Sequence, residues 1–201
     1  CIYKTNLVDF PFLKKGKVRD IYEIGDDHLL IVATDRLSAF DIVMAQPIPN
    51  KGEILTTISG FWFKKTKSII ANHISQIDPR GLFSSQSTYS KIKKQIIVVN
   101  KLKPIQYEAV VRGYLAGTAW SDYLNSSAVS GVRLREGLNK FDQLDNPIFT
   151  PSTKAALGDH DQNINYEEKI FRSVMEGNDE INIVADTDWE KLWRIRMSEP
   201  L

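Results

Sequence analysis

The stretch Glu108 to Thr118 reads Glu-Ala-Val-Val-Arg-Gly-Tyr-Leu-Ala-Gly-Thr. An arginine closes an apolar run, a glycine-bracketed turn follows, and Thr118 stands where a helical pattern begins. A planar guanidinium, a hydroxyl and the unpaired amides of a helix start together suit a phosphomonoester. The same residues also fit a structural arginine at a sheet edge and a threonine that only caps the helix.

Two further segments suit anionic or polar ligands. Lys15-Gly16-Lys17-Val18-Arg19-Asp20 sets a glycine among basic residues before a strand, so that open amides and cations could cradle phosphate; a plain basic turn is the competing reading. Thr34-Asp35-Arg36-Leu37-Ser38-Ala39-Phe40-Asp41 gathers hydroxyls and carboxylates directly after a hydrophobic strand, where α/β scaffolds present site residues. An Asp-rich turn bonding its own backbone would look the same.

Phe149-Thr150-Pro151-Ser152-Thr153-Lys154 and Gly158-Asp159-His160-Asp161-Gln162-Asn163 pack polar groups into a stretch with little apolar periodicity, as functional loops do. The 3 histidines, at 28, 73 and 160, are too dispersed for a histidine metal site. Asp186, ending an apolar run, has the hard oxygen that Mg²⁺ prefers, and it equally suits a strand terminator.

The elements that must position these groups are legible in outline. Arg19–Ile24 and His28–Thr34 are β-rich and separated by Gly25-Asp26-Asp27, a hairpin signal. Apolar residues at 58, 61, 62, 69 and 70 predict an amphipathic helix between Thr57 and His73, packed on the sheet by its aromatic stripe. Strands are expected at 95–99 and 107–111, joined by Lys101-Leu102-Lys103-Pro104 as a hinge, with a surface loop over Gly81–Ser90. A short helix over 117–127 is expected to be capped by Thr118 and to carry Trp120, Tyr123 and Leu124 on one face. Another helix is expected over 165–176, and a buried strand over 181–185.

The fold class these elements imply is α+β: an N-terminal lobe over 1–103 with an antiparallel sheet and one packed helix, then a larger α/β lobe over 104–201. With 26 basic and 25 acidic residues dispersed along the chain, no patch points to nucleic acid or to a membrane surface. No apolar run is long enough for a membrane span, and no leader pattern opens the chain. The single cysteine, Cys1, leaves no internal disulfide and fits a reducing, cytoplasmic setting.

In order and wording, five of these segments resemble the SAICAR synthetase family: Gly16 to Asp20, Asp35 to Asp41, Glu108 to Thr118, Pro151 to Lys154 and Gly158 to Ile164. The resemblance covers roughly residues 10 to 165. It implies a cytoplasmic ATP- and Mg²⁺-dependent ligase of purine biosynthesis with ATP in a cleft between its lobes. Such an enzyme joins 5-amino-4-imidazolecarboxylate ribotide to L-aspartate through an acyl phosphate.

Carried over by position, the resemblance gives Lys15, Gly16, Lys17 and Arg19 the nucleotide phosphates. It gives Lys101 and Leu102 the adenine, and Glu108 a further reach to the nucleotide. Arg112, Gly117 and Thr118 fall where the family grips the ribotide phosphate. Ser38, Asp41, Ser152 and Asp159 line the substrate side, Lys154 neutralises the transferred phosphoryl group, Asp161 accepts the amine proton, and Asp186 holds the metal. Small-molecule partners are implied, with no nucleic acid or membrane; the sequence carries no signal of oligomeric state.

The pattern departs near the C-terminus, where a lysine is expected two residues after Asp186 and Asp188 stands instead. A metal-binding Asp-Glu pair and a Ser-Arg substrate segment are not found. Either the chain is a non-catalytic nucleotide-binding relative, or segments of a longer protein are missing from it; the many retained site groups favour the second. A small-molecule kinase would share the turn, hinge and distal acid, but the kinase catalytic-loop pattern is absent.

Overall fold

The structure, a computed structural model, describes residues 1–39, 42–103, 107–108 and 110–153. Its architecture is α+β, and the chain divides into two compact units, Cys1–Lys103 and Pro104–Leu201.

The first unit is organised by a hairpin. β1 (Phe12–Lys15), β2 (Arg19–Ile24) and β3 (His28–Ala33) are consecutive antiparallel strands; then come the short strands β4 (Ser38–Ala39) and β5 (Ile42–Val43), helix α1 (Lys51–Thr66), helix α2 (Gln86–Ile92) and strand β6 (Ile96–Asn100). The sheet order is β1-β2-β3-β6, antiparallel throughout. Gly25, at φ 58°, makes the turn that the Gly-Asp-Asp signal announces.

Strand alternation gives the sheet two different faces. Tyr22 pairs with Leu30, Leu30 with Val98, and Val32 with Ile96. These five side chains point one way and are buried with Leu7, Phe10, Phe83 and Ile92. Phe10 and Phe83 meet edge to face at 5.0 Å. Each such side chain contributes about 1.5–3 kcal/mol on burial. On the opposite face, Ile21, Ile31 and Ile97 are only half-buried.

Three expectations are corrected here. The helix expected over Thr57–His73 runs over Lys51–Thr66. Its start is fixed from a distance, because Asp35 Oδ1 accepts from the Gly52 amide at 2.9 Å, a cap that no local pattern announces. Its end closes where the Ile69 and Ile70 amides share the Thr66 carbonyl. Nor is the expected apolar stripe buried: Ile58 and Phe61 are exposed, Trp62, Ile69 and Ile70 are half-buried, and within α1 only Gly52 is buried. The region 81–90 is not a loop. A 3-10 turn at Pro79–Leu82 and α2, capped by Ser85, carry Phe83 into the core.

In the second unit, β7 (Tyr107–Glu108) and β8 (Val111–Tyr114) precede α3 (Thr118–Ser126), the β9–β10 pair (Ala128–Val129, Val132–Arg133), β11 (Gln143–Phe149) and β12 (Ser152–Thr153). β8 pairs with β11 and β7 with β12, both antiparallel. Of the strand expected over 107–111, Tyr107–Glu108 form β7 and Val111 opens β8; the Thr150 amide and hydroxyl both donate to the Val110 carbonyl, at 2.8 and 3.1 Å. Leu115, Ala119, Tyr123, Val129, Leu138, Leu144 and Ile148 form this unit's core.

The Tyr123 hydroxyl donates to the Arg135 carbonyl and accepts from the Leu138 amide, which satisfies its polar end. Leu124, expected on one face with Trp120 and Tyr123, is 64% exposed where Tyr123 is buried. The helix expected over 165–176 and the strand over 181–185 lie outside the described residues.

Candidate functional site

The basic turn between β1 and β2 is shaped from beneath. The Gly16 amide donates to the Arg19 carbonyl at 2.7 Å, which closes the turn. The carbonyls of Gly16, Lys17 and Val18 are all taken from inside the fold: Arg36 Nη2 donates to Gly16 at 3.1 Å and Arg36 Nε to Lys17 at 3.0 Å. The Thr34 hydroxyl and amide donate to Val18 at 2.8 and 3.0 Å. The side chains of Lys15, Lys17 and Arg19 are exposed.

Arg36 itself is fully buried and ion-paired with Asp20 Oδ1 at 2.7 Å, while its Nη1 donates to the Tyr3 carbonyl at 2.6 Å. Burial alone would raise the Asp20 pKa, but the bonds from Arg36 and Thr5 outweigh it and hold the carboxyl below its ordinary 3.8. Asp35, also buried, accepts from the Ile2 amide, the Gly52 amide and Gln95 Nε2. Thr34, Asp35 and Arg36 therefore serve the framework, bonding backbone far away in sequence rather than presenting themselves to a ligand.

Beside this turn, over the half-buried face of the sheet, lies a cavity of about 320 Å³ lined by Val18, Arg19, Ile31, Phe63, His73 and Ile97 among others. Its size and mainly apolar walls are those of a small-molecule pocket. His73 meets the Phe63 ring edge at 5.1 Å, and burial, followed by the charge of Arg19, lowers its pKa below 6.5. Neither His73 nor this cavity was singled out by sequence; their only signal was a half-apolar strand face.

Beyond β6, Lys101 Nζ pairs with Glu23 Oε1 at 2.7 Å, and this pairing raises the lysine's pKa. Leu102 is 54% exposed. Ser38 opens β4 opposite Val43 and is half-buried.

In the second unit, Arg112 lies within β8 rather than at its end, paired across the ladder with Ile148. Its Nε donates to Thr150 Oγ1 at 3.0 Å and its Nη2 reaches Thr118 Oγ1 at 3.5 Å. Gly117, at φ 62° and ψ −137°, holds the cap position of α3. Thr118 is the first helical residue and is exposed, so its hydroxyl faces the guanidinium instead of capping the helix. Buried Ser152 pairs across the strands with exposed Glu108.

The structure thus brings Arg112, Gly117 and Thr118 together around a helix start, and adds Thr150, which the sequence reading placed in a polar segment without linking it to Arg112. Asp41, Lys154, Asp159, Asp161 and Asp186 lie outside the described residues. Among the described residues no cluster of acidic, histidine or cysteine side chains could hold a metal, and no helix is long and apolar enough to cross a membrane.

The profile of the SAICAR synthetase family matches residues 12–192. A phosphoribosylaminoimidazole-succinocarboxamide synthase of Halorhodospira halophila is 44% identical over 184 residues, 92% of this chain and 62% of that protein. One from Neisseria meningitidis serogroup C is 52% identical over 161 residues, 76% of this chain and 53% of that protein. The SAICAR synthase of Saccharomyces cerevisiae, solved in complex with SAICAR, superposes with a TM-score of 0.76 at 36% identity, covering 97% of this chain and 65% of that one. The chain therefore spans between 53% and 62% of the length of these two curated relatives.

Proposed function

The chain belongs to the SAICAR synthetase family, and from that premise we propose that it carries the nucleotide-binding and ribotide-binding parts of an ATP-dependent carbon-nitrogen ligase of purine biosynthesis. The substrates are 5-amino-4-imidazolecarboxylate ribotide, L-aspartate and ATP; the products are SAICAR, ADP and phosphate. The observation that carries this reading is the meeting of Arg112, Thr118 and the start of α3, a donor set fit for a sugar phosphate, in a chain of this family.

The first unit takes ATP. Lys15, Gly16, Lys17 and Arg19 cover the triphosphate, the cavity beside Arg19 receives the base, and Lys101 and Leu102 flank it. In the second unit Arg112, Gly117 and Thr118 grip the ribotide phosphate, and Glu108 and Ser152 complete the polar wall. A carboxylate resists attack by an amine until one of its oxygens becomes a phosphate leaving group, so the γ-phosphoryl group passes first to the ribotide carboxylate and the aspartate amine then displaces it.

Ser38, Asp41 and Asp159 serve the substrate side, Lys154 offsets charge on the transferred group and Asp161 takes the amine proton. Mg²⁺ accompanies ATP, with Asp186 as the residue that would hold it; it would neutralise phosphate charge. The setting is cytoplasmic, in keeping with a lone cysteine.

Sustained, multiple-turnover ADP release in the presence of ribotide and aspartate together, and not with either alone, is the expected result. ADP formation indifferent to aspartate would refute the ligase reading. A second reading, a nucleotide-binding relative without turnover, draws on Asp188 in place of the family's lysine; tight ATP binding with no ribotide-dependent ADP would favour it.

A further inference from the structure

A turn that covers a polyphosphate must present amides and cations to it and keep its carbonyl oxygens away, because each carbonyl carries a partial negative charge. In the Lys15–Arg19 turn three consecutive carbonyls face inward, each held by a buried donor: Gly16 and Lys17 by Arg36, Val18 by Thr34. Arg36 is completely buried, and Asp20 neutralises its charge at 2.7 Å. It therefore acts on the turn through geometry rather than as a cation offered to the ligand.

We propose that Arg36 is a positioning residue for nucleotide binding: its guanidinium, anchored by Asp20, turns the Gly16 and Lys17 carbonyls away from the phosphates so that the turn can accept them. This rests on the reading that the turn covers a triphosphate. The planar fork matters, since Nε and both terminal nitrogens serve separate acceptors at 3.0, 2.6, 3.1 and 2.7 Å. A lysine ammonium keeps the charge but cannot satisfy four acceptors spread around a plane.

The test is calorimetric titration of the chain with ATP and, separately, with adenosine. For Arg36→Lys the ATP Kd should rise about tenfold while the adenosine Kd and the fraction of binding-competent protein stay as in wild type. A merely structural role would lower the competent fraction and leave both Kd values alone, and that outcome overturns the proposal. An equal rise for ATP and adenosine overturns it too, since the phosphates would then not be the part affected. Should Arg36→Lys fail to fold, Asp20→Asn, which keeps the side-chain shape and loosens the anchor, must raise the ATP Kd about threefold without moving adenosine; no change overturns the proposal. Wild-type protein that binds adenosine and ATP equally, or neither, defeats the nucleotide-turn reading itself and the proposal with it.

Discussion

The Gly52 amide donates to Asp35 Oδ1 across 2.9 Å, which ties the first turn of α1 to the segment leaving β3. A Cβ at position 52 would overlap both the Ala33 carbonyl oxygen and Gln95 Nε2. Gly52→Ala is therefore expected to lower stability by about 3 kcal/mol, despite alanine's better helix propensity, because backbone and a buried amide must both shift. Urea unfolding would measure it, and a midpoint equal to wild type would count against this packing.

Acid should weaken the first unit through Asp20. Its folded pKa lies below the unfolded 3.8, so the stabilisation is complete above about pH 4 and is lost as pH falls through the lower folded value. Asp20→Asn should flatten this part of the stability–pH curve while lowering stability at neutral pH, because Arg36 is left buried without its anion. Denaturation midpoints taken between about pH 2 and pH 5 would test the slope.

His73 acts in the same direction at higher pH. With its folded pKa below 6.5, the unfolded chain takes up the proton first; stability is whole above that value and declines as pH falls beneath it. A proton-resolved titration of the imidazole should find its midpoint displaced to the acid side, and replacing His73 with phenylalanine should remove that contribution from the stability–pH curve.

Arg112→Ala should raise the KM for the ribotide about a hundredfold and leave the ATP KM within about twofold. Thr150→Val, which removes the hydroxyl that orients Nε and that also donates to the Val110 carbonyl, should raise the ribotide KM by about threefold to tenfold. Steady-state kinetics with each substrate varied separately would decide, and an effect on ATP as large as that on ribotide would contradict the assignment.

Local signals carried the parts of the fold that local chemistry determines. The β2–β3 hairpin was legible because Gly25 supplies the positive φ within the turn itself. Arg112 and Thr118 were legible as a pair because Gly113 and Gly117 bracket the five residues between them. The role of Arg36 was not, since its acceptors lie 16 to 33 residues away and nothing in Thr34-Asp35-Arg36 distinguishes a ligand-facing cluster from a buried one. The start of α1 escaped for the same reason, its carboxylate coming from Asp35. Periodicity in α1 identified which residues share an apolar face but could not tell whether anything covers it.

Because the central sheet buries one face and leaves the other beside a cavity, adjacent positions along β3 and β6 answer to different selective demands. Leu30, Val32 and Val98 are constrained by cohesion, and Ile31 and Ile97 by what must fit against them. Saturation mutagenesis from Leu30 to Val32 and from Ile96 to Val98 should yield a period-two record, in which every second site registers folding and the sites between register affinity.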